Sequence, residues 1–200
     1  LLEEVTKGIE LSAAKYKVTS LAIDTWGVDY VLMNGESVIY PVYAYRDHRT
    51  EESVKSVHSI IPFSSLYSRT GIQEQSFNTI YQLFWDFKNG KLEKASDFLM
   101  IPEYLSYRLT GNKVKEYTNG TTTGLVDINT SQFDREIISS LSLPPHLFPV
   151  LHGPGIKVGE YKGIDVLLAP SHDTASAVYG LKSEDDEPYI SSGTWSLLGL

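Results

Sequence analysis

No cysteine occurs among the 200 residues, so the chain forms no disulfide and offers no thiolate to a metal. Its five histidines are not grouped at zinc-ligand spacing. Lysine and arginine number 17 against 25 acidic residues, a formal charge of −8, and they are scattered. That balance argues against nucleic acid or an anionic membrane as the main partner, since no basic patch is available to neutralise phosphates. No apolar run approaches the roughly 20 residues needed to span a bilayer, and no signal-peptide pattern is evident. Together these features predict a protein of the reducing cytoplasm. A Walker loop is also missing: no Gly-Lys-Ser or Gly-Lys-Thr occurs. Gly153-Pro154-Gly155 superficially opens a dinucleotide loop, but no strand leads into it and the third glycine is absent, so it is expected to be a turn.

What is present suits an α/β fold. Hydrophobic residues make up 42% of the chain, enough for a real core in one or two domains. Leu2, Val5, Ile9 and Ala13 recur at helical spacing, with charge on the opposite side. Val18 to Trp26 is apolar enough for a buried strand, and Asn34-Gly35 joins two short runs as the strongest hairpin signal in the chain. Helices are expected over 51–61, 79–88, 103–109 and 133–141, with Thr110-Gly111 ending the third of them. A polar, hydroxyl-rich loop is expected over 118–123, and a long connection punctuated by Pro144-Pro145 and Gly153-Pro154-Gly155 follows the last of those helices. No internal repeat or low-complexity tract interrupts this order.

Two segments near the C-terminal end carry chemistry. Ile164 to Ala169 has the character of a buried strand, Pro170 ends it, Ser171 is a good N-cap, and small residues after Thr174 suit a closely packed helix. Asp173 then falls in the first helical turn, where dipole and free amides favour a carboxylate able to take a proton from a substrate hydroxyl. Ser192-Gly193-Thr194 sits between short apolar runs, as a turn whose amides and hydroxyls would meet phosphate oxygens. Plain alternatives remain open for both: a capped helix start for the first, an ordinary hairpin for the second. Gly27 beside Trp26 either lets a ligand approach the backbone or marks a bulge. Arg46-Asp47-His48-Arg49 is better explained as charge-paired scaffolding than as a sugar-hydroxyl site.

Several segments, in order and spacing, resemble the rhamnulokinases of the FGGY carbohydrate-kinase family. They are Ile23 to Leu32, Ala44 to Thr50, Tyr67 to Ile72, Phe77 to Leu83, Tyr104 to Gly111, Glu116 to Asn119 and Ser171 to Ala177, with Thr25-Trp26-Gly27-Val28-Asp29 and Ser171 to Ala177 as close matches to rhamnulokinases. The resemblance implies a ribonuclease-H-like fold of the actin and hexokinase type. It implies a sugar-side domain over 1–182 and the beginning of a second domain over 183–200, with the acidic run Ser183 to Glu187 as an exposed crossover. It implies Asp173 as the catalytic base, Gly27, His172, Asp173 and Thr174 as the substrate contacts, and Gly193 and Thr194 as the ATP contacts, with ATP and Mg2+ as cofactors. No residue is assigned as a metal ligand. The implied reaction is ATP-dependent phosphorylation of L-rhamnulose at its C1 hydroxyl.

Other ketoses, such as L-fuculose or xylulose, and a non-catalytic actin-like binding module are the alternatives. Thr-Trp-Gly in place of the Met-His-Gly usual in xylulokinases counts against xylulose. The chain opens on Leu1-Leu2-Glu3-Glu4 without a phosphate-loop hairpin and stops at Leu200, so it is expected to be a fragment, inactive by itself.

Overall fold

The computed structural model describes residues 1–181, 187–193 and 196–199. In chain order it begins with α1 (Leu2–Lys15), β1 (Ser20–Ala22), β2 (Tyr30–Asn34), β3 (Ser37–Val38), α2 (Glu51–Ile60), α3 (Phe63–Thr70) and α4 (Thr79–Lys88). There follow β4 (Asp97–Met100), α5 (Ile101–Thr110), β5 (Lys115–Glu116), α6 (Tyr117–Thr121), β6 (Val126–Asp127), β7 (Gln132–Phe133) and α7 (Arg135–Ser140). The last elements are β8 (Leu151–His152), β9 (Lys157–Tyr161), β10 (Ile164–Leu167), α8 (Asp173–Tyr179), β11 (Tyr189–Ser192) and β12 (Ser196–Gly199).

Two three-stranded sheets organise the chain. One has the order β1-β10-β9, with β10 parallel to β1 and antiparallel to β9; the other is antiparallel, in the order β3-β2-β4. The first of them positions the site, because a parallel pair brings the carboxyl ends of β1 and β10 to the same edge, where open α/β sheets bind ligands. The pairing continues beyond the strands as an isolated parallel bridge between Thr25 and His172.

The main core lies between the second sheet and the helices. Phe98, Phe133 and Phe148 pack with ring centroids 5.2 to 6.1 Å apart, and Ile80, Tyr81, Leu83 and Phe84 of α4 complete the cluster. Below it, a fully buried ion pair joins Lys115 to Glu103 at 3.4 Å. Lys115 Nζ stands 3.7 Å from the Phe98 ring centroid and donates to the Phe98 carbonyl. Burial pushes the Glu103 carboxyl up and the Lys115 ammonium down, each partner opposing that effect on the other.

Several sequence expectations need correction. β1 spans only Ser20–Ala22 and is not buried, because among the described residues one of its edges has no partner strand. The expected loop over 118–123 begins as α6, a one-turn helix that a buried carboxylate makes stable, as described below. Phe133 belongs to β7, and the helix after it starts at Arg135 because Asp134 caps it, accepting from the amides of Glu136 and Ile137. β4 and β9 are absent from the sequence expectation: β4 has no turn signal beside it, and β9 is joined to β10 by the two-residue turn Lys162-Gly163 (φ 51° and 79°), a signal the sequence reading passed over. α4 begins and ends where predicted, and α5 ends at Gly111 in the left-handed region (φ 78°), which glycine alone adopts freely.

Candidate active site at the carboxyl ends of the parallel strands

The segment Ser171-His172-Asp173 is held by its backbone on both sides. The Thr25 amide donates to the Ser171 carbonyl at 3.0 Å, and the Asp173 amide donates to the Thr25 carbonyl at 2.8 Å. α8 begins at Asp173, as the sequence predicts, but His172 occupies the N-cap position and Ser171 does not. The reason is competition: the Ser171 hydroxyl, buried, donates instead to Glu116 Oε2 at 2.8 Å.

Asp173 is thereby placed with its side chain 57% exposed, open to the cleft. Its Oδ1 accepts from the Thr174 amide at 2.6 Å and lies 3.4 Å from His172 Nε2. Burial pushes the His172 imidazole below its usual range, against the opposing pull of Asp173 and Glu116, so the ring is neutral near pH 7.

The facing wall comes from the end of β1. Trp26 is 40% exposed, and its indole Nε1 donates to Asp29 Oδ2 at 2.8 Å, which locks the ring plane against the cleft. Asp29 is buried, and that burial pushes its carboxyl up, only partly offset by the Trp26 hydrogen bond. Gly27 lies so close to Thr122 that a Cβ would fall 2.7 Å from Thr122 Cγ2 and 2.8 Å from its Oγ1. Val28, with φ 65°, occupies a region that β-branched residues rarely adopt. Its amide donates to Thr122 Oγ1 at 3.0 Å, and its carbonyl accepts from Thr79 Oγ1 and Gln82 Nε2. Three hydrogen bonds thus hold a strained residue at the rim of the site.

Between these walls lies a cleft of about 540 Å³, within the size range of small-molecule sites. Gly27, His172, Asp173, Thr174 and Gly193 all line it, so five sequence-predicted residues from three distant segments converge. Thr194 lies outside the described residues. Gly193 follows β11 in a hairpin with β12, where Ser192 pairs with Ser196, so the plain hairpin geometry and a cleft-facing position occur together.

Tyr45, Gln75, Phe77 and Asn78 also line the cleft and were not singled out as site residues. Their sequence signals were the segments carrying the family resemblance, Ala44 to Thr50 for Tyr45 and Phe77 to Leu83 for Phe77 and Asn78. Arg46-Asp47-His48-Arg49 is scaffolding, as favoured, with one adjustment. Arg49 pairs with Asp47 at 2.5 Å and donates to Gln82, while Arg46 stacks over the Tyr45 ring instead of clasping Asp47. Among the described residues no group of three His, Asp or Glu could hold a metal ion.

Residues 2–164 match the N-terminal domain model of the FGGY family of carbohydrate kinases. The chain belongs to that family. Among similar FGGY relatives, a rhamnulokinase from Mannheimia succiniciproducens is 44% identical over 207 residues, covering 100% of this chain and 43% of that protein. A rhamnulokinase from Oceanobacillus iheyensis is 41% identical over 214 residues, covering 100% and 45%. The chain therefore spans under half the length of these relatives.

Among solved structures, a carbohydrate kinase from Novosphingobium aromaticivorans superposes with a TM-score of 0.76 at 22% identity over 99% of this chain and 44% of that one. A gluconate kinase from Lactobacillus acidophilus gives 0.71 at 18% over 84% and 36%. These likenesses establish the fold as the actin and hexokinase type common to FGGY kinases, in agreement with the sequence expectation.

Proposed function

We propose that this chain forms the sugar-binding side of an ATP-dependent kinase that converts L-rhamnulose to L-rhamnulose 1-phosphate. One observation carries the reading: similarity to rhamnulokinases over the whole of this chain coincides with an exposed carboxylate at the carboxyl ends of two parallel strands, inside a cleft of small-molecule size. Asp173 would take the proton of the C1 hydroxyl as that oxygen attacks the γ-phosphorus of ATP, the bond from that phosphorus to the β–γ bridging oxygen breaks, and ADP leaves. Neutral His172, with Thr174 and the backbone at Gly27, holds the remaining hydroxyls, and the Trp26 ring closes the wall beside them.

The ATP phosphates are assigned to Gly193, which lines the cleft and has no side chain to fill it, and to Thr194. When bound, the nucleotide supplies the phosphoryl group. Magnesium is carried by one or two carboxylates together with nucleotide phosphates, and among the described cleft residues Asp173 is the single carboxylate. It is assigned to the proton, so no residue here is given to the metal. Positioning supplies most of the rate in phosphoryl transfer, so exclusion of water by these walls matters as much as the base. The division into 1–182 and 183–200, and a cytoplasmic location, belong to the same proposal. Among the described residues no helix is long and apolar enough to cross a membrane.

The test is coupled ADP release by the protein at the length of its relatives, with L-rhamnulose, L-fuculose, D-xylulose and glycerol compared. Preference for L-rhamnulose is expected, and preference for another ketose overturns the substrate assignment. Asp173→Asn is expected to lower turnover by about two to four orders of magnitude with sugar binding retained. Turnover near wild type removes Asp173 as the base.

A further inference from the structure

We propose that Glu116 is a positioning residue that sets the place of Asp173 in the cleft, an inference that rests on the assignment of Asp173 as the base. Glu116 is completely buried, and among the described residues its carboxylate neither lines the cleft nor pairs with a cation. It gathers five donors. Oε1 accepts from the Thr118 amide at 2.8 Å. Oε2 accepts from the Asn119 amide at 3.0 Å, the Thr118 hydroxyl at 2.7 Å, the Ser171 amide at 3.0 Å and the Ser171 hydroxyl at 2.8 Å. One side chain therefore caps α6 and grips the residue two positions before Asp173.

The grip is redundant in a way that a helix cap does not need. Asn119, the second residue capped, sends its Nδ2 to the Ser171 carbonyl at 3.1 Å. Ser171 is thus fixed at its amide, carbonyl and hydroxyl by Glu116, Asn119 and Thr25 together. Thr122, directly after α6, holds the Val28 amide and abuts Gly27 on the facing wall. Glu116 joins both walls of the cleft through α6, so the separation between the base and the sugar-side backbone depends on it. Its own backbone is anchored by Glu103, whose Oε1 accepts the Glu116 amide at 3.0 Å.

An amide cannot replace this carboxylate. In Glu116→Gln one of the two oxygen positions becomes an NH2, which meets either the Thr118 amide or the four donors at Oε2, donor against donor. With the NH2 at the Oε2 position Ser171 is released directly, and with it at the Oε1 position the Thr118 amide faces a donor and the cap of α6 is lost, so the support of Asp173 is weakened in both orientations; a displacement of the base by an ångström or less is expensive in a positioned reaction.

Steady-state kinetics of the full-length protein decide the matter. Glu116→Gln is expected to lower kcat about ten- to a hundredfold with ketose KM within about threefold of wild type. Ser171→Ala is expected to lower kcat about three- to tenfold, part of the strength of one hydrogen bond to a carboxylate, and to add little in the Glu116→Gln background. Arg69→Gln, which breaks the distant ion pair with Asp134, is expected to lower the melting temperature with kcat per folded molecule unchanged. Wild-type kcat in Glu116→Gln alongside an inactive Asp173→Asn overturns the inference and leaves the base in place. Wild-type kcat in Asp173→Asn overturns both. Where Glu116→Gln does not fold, Ser171→Ala decides: a fall in kcat at constant KM upholds the inference, and wild-type kcat overturns it.

Discussion

Replacing Gly27 with alanine adds one methyl group at a place where three atoms of Thr122 already stand 2.7 to 2.9 Å away. The backbone of Gly27 is not among the glycines with positive φ, so alanine fits its conformation and the perturbation is purely one of space. Thr122 can yield only by giving up its role as acceptor for the Val28 amide at 3.0 Å and as donor to the Asn119 carbonyl at 2.7 Å. Overpacking of this kind costs about 1–3 kcal/mol, and a lost hydrogen bond about 1 kcal/mol more, so a destabilisation of about 2–4 kcal/mol is expected. Urea unfolding of the full-length protein measures it, and a double-mutant cycle with Thr122→Gly isolates the cause. Removing the threonine side chain removes the obstruction, so the Gly27→Ala cost should shrink by about 2 kcal/mol in that background. Ketose titration of the same four proteins separates the second role. If the Gly27 backbone touches sugar, alanine weakens ketose binding even where Thr122 has been cut away. Additivity of the two substitutions to within about 0.5 kcal/mol refutes the steric argument.

Three further outcomes follow from the geometry. Phe98→Ala empties the centre of the aromatic cluster and removes the ring under Lys115, so it should cost about 3–5 kcal/mol by thermal or urea unfolding. Asp134→Asn should cost about 2 kcal/mol at neutral pH, since Asn still caps α7 but loses the charged bonds to Arg69 at 2.6 and 2.9 Å. Burial alone would raise the Asp134 carboxyl, but Arg69 and the α7 amides outweigh it and hold it below the usual 3.8; its contribution is therefore complete above that value and disappears as pH falls through the lower, folded one. Stability of the wild type and Asp134→Asn measured against pH should converge in acid, and a constant gap counts against the ion pair as its source. Trp26→Phe keeps the aromatic wall but cannot donate to Asp29, so it should leave a buried acceptor unpaired and lower the melting temperature; an unchanged melting temperature shows that the indole bond contributes nothing.

Local signals in the sequence were sufficient wherever the cause of structure is itself local. α1 and α4 follow from apolar periodicity, the turn at Asn34-Gly35 from residue type, and the end of α5 from a glycine in the left-handed region. Asp173 at a helix start could be anticipated because a strand, a proline and small helical residues surround it within a few positions. Family resemblance added His172 and Thr174, and favoured the ligand reading of Gly27 and Gly193, whose local signals had left a bulge and a plain hairpin open. What tertiary structure alone decided were the matters of long-range competition. Ser171 is a good cap by type, but Glu116, 55 residues away, takes its hydroxyl, and His172 is left at the cap position. The hydroxyl-rich segment after Glu116 looks like a loop until that same buried carboxylate satisfies its first amides and makes α6. Gly27 reads as room for a ligand, yet the space beside it is filled by Thr122. In each case the deciding partner is a polar group brought close by the fold, fully buried for Glu116 and partly buried for Thr122, and because an unpaired group there is costly, it overrides the preferences that neighbouring residues express in the chain.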